Sequence, residues 1–328
     1  MGVKFKDIVL AENIDIEKLE GRVIAIDAAN TLYQFLSSIR QRDGTPLMDE
    51  HGRVTSHLSG LFYRTSALIG KGIKPVFVFD GERPKEKEDT VKQRSAVRQE
   101  SEKQWKEALA EGDVDRAAKF AKRSSRMTPR VVEESKKLLG LMGVPFVQAA
   151  GEGEAQASYM VNNGDAWAVS SQDYDCLLFG APRIVRNLTI SRNLNSIELL
   201  DSDRILRHLD ISREQLIDVS LMVGTDFNKG IKGIGAKRGL KLIQNHDNLE
   251  SAVKEIDVDF EEDIGVLRDI FLNHPVNMDY DLKWDNVDID GLVEFMSYEH
   301  SFSEERVINT AKKIKKHDVS QQSLEAWF

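Results

Sequence analysis

Seven acidic residues stand where this chain is expected to turn. Asp27 and Asp80 each follow a short apolar run, Glu152-Gly153-Glu154 and Asp173-Tyr174-Asp175 are tight pairs, and Asp226 follows Gly224-Thr225. Hard divalent cations take oxygen ligands, and magnesium is held by a few carboxylates together with waters and substrate phosphate oxygens. Seven carboxylates exceed the needs of one such ion. Two ions about 3.5–4 Å apart would use them, one activating a water and the other steadying the oxygen that leaves a phosphodiester. Without metal the cluster is unfavourable, because like charges at close range raise one another's pKa. Taken singly, each acid has an ordinary explanation. An Asp after a strand caps a helix, and Glu152 and Glu154 open one, where acids suit the dipole. It is the set that points to metal.

The elements that must position these acids can be read from the apolar pattern. Val23-Ile24-Ala25-Ile26 precedes Asp27, Val76-Phe77-Val78-Phe79 precedes Asp80, and Ala166-Trp167-Ala168-Val169 precedes Asp173, three runs that read as buried strands. Helical patterns lie between them, over Ser56 to Lys71 and Thr128 to Leu141, the second with Pro129 in its first turn and Gly140 near its end. Alternating strand and helix predicts an α/β fold with a central, mostly parallel sheet flanked by helices. Ligands of such sheets sit beyond the carboxyl ends of the strands, so Asp27, Asp80 and Asp173 are expected on one rim. A phosphatase of the haloacid dehalogenase type also places an Asp after the first strand but needs a second two positions on, where this chain has Ala29. After Gly224 the pattern is mostly helical, with a Gly-rich loop from Lys229 to Gly235, and from Ile314 onward a loose tail is expected.

At 328 residues and 41% hydrophobic content the chain can bury a large core. No apolar run is long enough to span a bilayer, the first ten residues have no signal-peptide core, and Lys6 stands where a myristoylation motif needs Ser or Thr. A single cysteine, Cys176, fits a reducing, intracellular setting. The net charge of −9 argues at first against a polyanionic partner. Its distribution argues otherwise: Gly81 to Arg130 holds 14 Lys and Arg against 10 Asp and Glu, a local +4. This glycine-poor segment reads as charged helices standing off the core, with a solvated helical face as the plain alternative.

The residues also carry a resemblance. Ile26-Asp27-Ala28-Ala29, Thr55-Ser56-His57-Leu58, the run from Gly72 to Gly81, Gly151-Glu152-Gly153-Glu154-Ala155, Gln172-Asp173-Tyr174-Asp175-Cys176-Leu177 and Gly224-Thr225-Asp226 resemble the flap endonucleases, structure-specific 5′ nucleases, in order and spacing over essentially the whole chain. It looks like the archaeal form, stopping where eukaryotic members run on into a basic tail. The resemblance implies a 5′-nuclease core of PIN-like type with a helical arch and a helix-two-turn-helix DNA-binding element. It makes Asp27, Asp80, Glu152, Glu154, Asp173, Asp175 and Asp226 the ligands of two magnesium ions, direct or through water, with manganese as the alternative ion. Lys87, Arg94 and Arg98 are spaced to share one helix face; by resemblance Lys87 and Arg94 are catalytic and their helices form the arch through which a 5′ single strand passes. Tyr33 could stack on an unpaired base, a contact worth about 1–3 kcal/mol, or simply pack in the core. Arg40 and Arg98 join it among the DNA-binding residues.

Gly230 to Arg238 resembles the hairpin of that two-turn element, with Gly233 and Gly235 letting backbone N–H groups approach a phosphate and Lys232, Lys237 and Arg238 adding charge without reading sequence. It lacks the spacing and the Lys-Ser/Thr ending of a Walker loop. In the family it grips duplex DNA and holds potassium. Gln321, Leu324, Trp327 and Phe328 match Gln-x-x-aliphatic-x-x-aromatic-aromatic, the peptide by which replication proteins dock on a sliding clamp of the PCNA type; Leu324 and the two aromatics would enter an apolar pocket. A terminal pair of aromatics could also pack on its own domain.

The layout expected is a nuclease region over 1–98 including the start of the arch at about 83, the rest of the basic arch over 99–130, an internal nuclease region over 131–258 with the hairpin at 229–239, a helical part of the same core over 259–313, and a flexible tail over 314–328. The implied protein is a monomeric, magnesium-dependent flap endonuclease with 5′–3′ exonuclease activity, cutting branched DNA in Okazaki fragment maturation and repair in the cytoplasm of a prokaryotic cell, with no membrane partner. The rivals are a non-catalytic junction-binding scaffold tethered to the clamp and an RNase with the same acidic rim. Against a scaffold stands the electrostatic penalty of keeping every carboxylate.

Overall fold

The structure, a computed structural model, describes residues 2–82, 87–189, 196–258, 260 and 262–325, with side chains throughout except at 88, 89 and 316–325. In chain order the elements are β1 (Glu12–Ile14), β2 (Val23–Asp27), α1 (Ala28–Ser38), α2 (Ser56–Ile69), β3 (Lys74–Phe79), α3 (Glu88–Ala110), α4 (Val114–Arg123), α5 (Pro129–Leu141), β4 (Phe146–Gln148), α6 (Gly153–Asn162), β5 (Ala168–Ser170), α7 (Asp175–Leu178), β6 (Arg183–Arg186), β7 (Ile197–Asp201), α8 (Ser202–Leu209), α9 (Arg213–Val223), α10 (Ala236–His246), α11 (Leu249–Glu255), α12 (Ile264–Leu272), α13 (Ile289–Leu292) and α14 (Glu304–Glu325).

The strands form one sheet in the order β1-β7-β6-β5-β2-β3-β4. Pairings from β6 through β4 are parallel, and β7 joins β6 and β1 antiparallel. The three expected strands are β2, β3 and β5, the middle of the sheet. Side chains alternate across it. Ile24, Ile26, Phe77 and Phe79 face a core shared with Phe35, Leu61, Phe62, Leu138 and Phe295. Ala25, Val76 and Val78 face a second core with Met160, Ile217, Leu267 and Phe271. Helices cover both faces, as parallel strands require.

Local chemistry sets the helix starts. The Thr128 side chain accepts from Val131 N ahead of Pro129 in α5, and Ser212 with Gln215 forms a reciprocal capping box on α9. Although α3 and α4 are charged, they are not merely solvated: Ala108, Ala117 and Ala121 are fully buried where the pair packs. The loose tail expected from Ile314 is, as far as Glu325, a continuation of α14. Val307, Ala311 and Ile314 form one buried stripe at helical spacing, thinly spread among polar residues and therefore faint in sequence. The stretch from Ser191 to Ile197 falls mostly outside the described residues, which resume just before β7. No described helix is long and apolar enough to cross a membrane.

Candidate metal centre and nucleic-acid interface

From β2 the chain moves to β3 and β4 on one side, then returns to β5 on the other. This change of direction leaves a crevice at the carboxyl ends of β2 and β5, where open α/β sheets take their ligands. Asp27 ends β2 and caps α1, accepting from Asn30 N at 3.0 Å; the Asn30 amide in turn donates to Asp173 Oδ2 at 3.1 Å, beyond β5. Asp80, beyond β3, accepts from Gly153 N at 2.8 Å and so caps α6, whose first turn carries Glu154. Ser171 Oγ lies 2.9 Å from Glu154 Oε1 and 3.3 Å from Asp27 Oδ2, linking two buried acids through one hydroxyl. Asp175 opens α7 and accepts from Val3 N at 2.7 Å. Asp226 comes from the loop between α9 and α10, and Arg94 of α3 donates to its Oδ1 at 2.5 Å. Lys87, at the N-cap of α3, binds Glu152 Oε2 and lies 3.9 Å from Asp226 Oδ2.

All seven predicted acids are thus joined to one rim, with the two predicted cations among them. Burial pushes the Asp27 carboxyl up to about 7, and Asp80 and then Asp173 add to it. Asp175 also reaches about 7, through burial and then Asp173 and Asp226, against the Val3 N–H. Glu154 stands well above the usual carboxylate range for the same reasons, burial first and then Asp175, Asp27 and Asp173. Burial would pull Lys87 down, but Glu152, Asp226 and Glu154 together hold its ammonium above the ordinary lysine value. Such a rim calls for positive charge, and its seven carboxylates are oxygen donors, which suits magnesium. Among the described residues no three acids close into a cage for a single ion. An ion that keeps several of its waters needs no cage.

The remaining predicted residues are distributed as follows. Tyr33 is half-buried, its hydroxyl donating to Ser125 O at 2.7 Å and its ring 5.0 Å from the Arg98 guanidinium carbon, so an arginine from α3 covers the ring where a base was expected. Arg40 donates to Leu36 O, Gly44 O and Ser125 Oγ at 2.7–2.8 Å, an occupation that ties α1 to the segment following α4. In the hairpin Gly233 takes a φ of 83°, Gly235 is the N-cap of α10, and Lys232, Lys237 and Arg238 are exposed. Gln321 and Leu324 have backbone in α14 but their side chains, like all of Trp327 and Phe328, lie outside the described residues.

Sequence reasoning missed Ser171, Asn30, the Val3 N–H and His274. The first two sit beside recognised acids and could have been suspected. The others come from distant segments and have no local signal. His274 Nε2 accepts from Glu152 N at 2.8 Å.

Residues 1–101 match the XPG N-terminal domain and residues 143–226 the XPG I-region. The chain is 56% identical to flap endonuclease 1 of Methanothermobacter thermautotrophicus and 54% to that of Methanobrevibacter smithii, over the full length of all three. Its fold is similar to the solved flap endonuclease-1 from Methanococcus jannaschii, with a TM-score of 0.80 at 43% identity, covering 98% of this chain and 100% of that one. The catalytic core of Rad2 in complex with a DNA substrate shares the fold at a TM-score of 0.77 and 24% identity, covering 96% of this chain and 100% of that one.

Proposed function

The chain belongs to the flap endonuclease family, and from that membership we infer that it is a structure-specific 5′ nuclease that hydrolyses phosphodiesters of branched DNA in replication and repair. The observation that carries this reading is the convergence of seven carboxylates from separate segments on one rim, with Lys87 and Arg94 of the α3 segment set among them. Asp27, Asp80, Glu152, Glu154, Asp173, Asp175 and Asp226 would hold two magnesium ions. When bound, these ions supply an activated water and neutralise charge on the phosphate.

The protein's own groups do the rest. Ser171 and Asn30 orient Asp27, Glu154 and Asp173 before any substrate arrives. Lys87 and Arg94 are paired with Glu152 and Asp226 and, with those acids occupied by metal, would turn to the scissile phosphate and stabilise its charge. The α3–α4 pair is the arch under which a 5′ strand passes. Tyr33 offers its ring to a base if Arg98 moves aside or stacks with it. The hairpin before α10 grips duplex through exposed Lys232, Lys237 and Arg238 and the backbone at Gly233 and Gly235, with potassium held there. Residues 1–98, 99–130, 131–258 and 259–313 form one nuclease unit, and 321–328 docks on a sliding clamp. The protein would work as a monomer in the cytoplasm, where its DNA is. A scaffold that only binds junctions would gain nothing from a rim in which Asp27 and Asp175 are pushed up to about 7.

The test is cleavage of a labelled double-flap DNA beside single-stranded and blunt duplex controls, with magnesium and with chelator. Release of the 5′ flap near its base, dependent on magnesium and abolished in Asp175→Ala with DNA binding retained, is the expected result. Tight binding without cutting would instead establish the scaffold, and preference for RNA the RNase.

A further inference from the structure

We propose that His274 is a positioning residue of the nuclease site, holding the turn that presents Glu152 and Glu154; this rests on the metal-dependent reading above. His274 follows α12, 122 positions from Glu152 in sequence, and its imidazole reaches the N-terminus of α6. Nδ1 lies 3.1 Å from Ile270 O and so must carry the proton, which leaves Nε2 as an acceptor for the Glu152 N–H at 2.8 Å. Two consecutive donors of the turn are thereby satisfied from outside the helix, Glu152 N by His274 and Gly153 N by Asp80.

The imidazole is itself held in place. Gln156 of α6, fully buried, makes a two-point clamp on Asn277, donating from Nε2 to its carbonyl at 2.8 Å and accepting its N–H at Oε1 at 2.6 Å. That fixes the 274–277 segment against the helix whose start His274 touches. The ring also packs edge-on against Phe179, centroids 5.2 Å apart. Gly151 leaves room for it, since a Cβ there would stand 2.5 Å from Nε2. The chemistry of the acceptor matters. A backbone N–H at a helix start is usually capped by Asp or Ser, but a further carboxylate here would add negative charge to a rim already crowded with it. A neutral ring nitrogen makes the bond without the charge.

If His274 aims Glu152, its loss weakens metal binding more than it weakens the fold. Partners of metal ligands typically contribute 10–100-fold in affinity. The experiment measures Mn2+ binding to the full chain without DNA, by the loss of free-ion electron paramagnetic resonance signal, for wild type, His274→Leu and His274→Gln. Leucine fills similar volume but accepts no hydrogen bond, whereas glutamine sets an amide oxygen about where Nε2 stands. The expected result is a loss of about tenfold in affinity for His274→Leu, restored to within a few-fold in His274→Gln. Melting temperatures in chelator should be similar for the two variants. In flap cleavage, His274→Leu should need more magnesium for half-maximal rate while keeping most of the saturated rate. Wild-type affinity in His274→Leu overturns the inference, as does an equal loss in both variants. Absence of Mn2+ binding by the wild type would overturn the metal reading itself, and this inference with it.

Discussion

Gly153→Ala adds one methyl group where Asp80 already stands. The new Cβ would lie 2.8 Å from Asp80 Oδ1 and 3.3 Å from Val78 O. Carbon and oxygen rest at about 3.3–3.6 Å, so the carboxylate must withdraw by about 0.5 Å. That movement stretches the 2.8 Å bond from Gly153 N and takes Asp80 off the line its partners set. A hydrogen bond to a charged acceptor contributes about 1.5–3 kcal/mol. Alanine returns about 0.5–1 kcal/mol by stiffening the unfolded chain, and Asp80 can regain water, so the metal-free fold should change by no more than about 1–2 kcal/mol. Metal affinity has no such compensation and should fall about 10–100-fold. The assay is single-turnover cutting of a double-flap DNA across a magnesium titration, with melting curves in chelator alongside. The half-saturating magnesium concentration should rise by that factor while the melting temperature moves by a few degrees. An unchanged magnesium requirement would refute the placing of Asp80 in the metal centre.

Other expectations follow from the same geometry. Asp27 and Asp175 are raised to about 7 in the folded chain against about 3.9 when unfolded, so between those values the native state holds more protons. Stability of the chelated protein is therefore greatest below about pH 4 for these groups and falls as pH rises through 7; calorimetry in chelator should show the decline, and a melting temperature that rises steadily from pH 5 to 8 would contradict it. Asp218, buried on α9, accepts two bonds from Arg268 at 2.6 and 2.7 Å and one from Leu249 N, tying α9 to α11 and α12. Asp218→Ala should destabilise by about 3 kcal/mol in denaturant titration while leaving the cutting rate at low temperature near wild type. Deleting Gln321 to Phe328 should preserve basal cutting and eliminate stimulation by a sliding clamp; unchanged stimulation would remove the tail from the proposed interface.

The middle of the sheet and the rim were legible in the sequence for one physical reason. Strands buried on both faces must be continuously apolar, so β2, β3 and β5 stand out, and the acids that end them must then lie together because parallel strands share one carboxyl end. The outer strands were not legible. β1, β4, β6 and β7 are three to five residues long and half polar, and only the neighbour each pairs with makes them strands. The continuation of the C-terminal helix past residue 313 was missed because the residues there are mostly polar and carry no apolar stripe to mark a helix.

Types of residue, in short, announced the chemistry, since a carboxylate is an oxygen donor wherever it sits. Which groups hold those carboxylates in place was decided by the fold alone. Ser171 between Asp27 and Glu154, the Val3 N–H on Asp175, and His274 beneath Glu152 are contacts between segments up to 172 positions apart. The same holds for Tyr33 and Arg40, whose side chains the sequence offered to DNA and the tertiary structure engages with Ser125 and Arg98. A hydrogen bond depends on distance and angle, and these are properties of packed elements that no local pattern of residues carries.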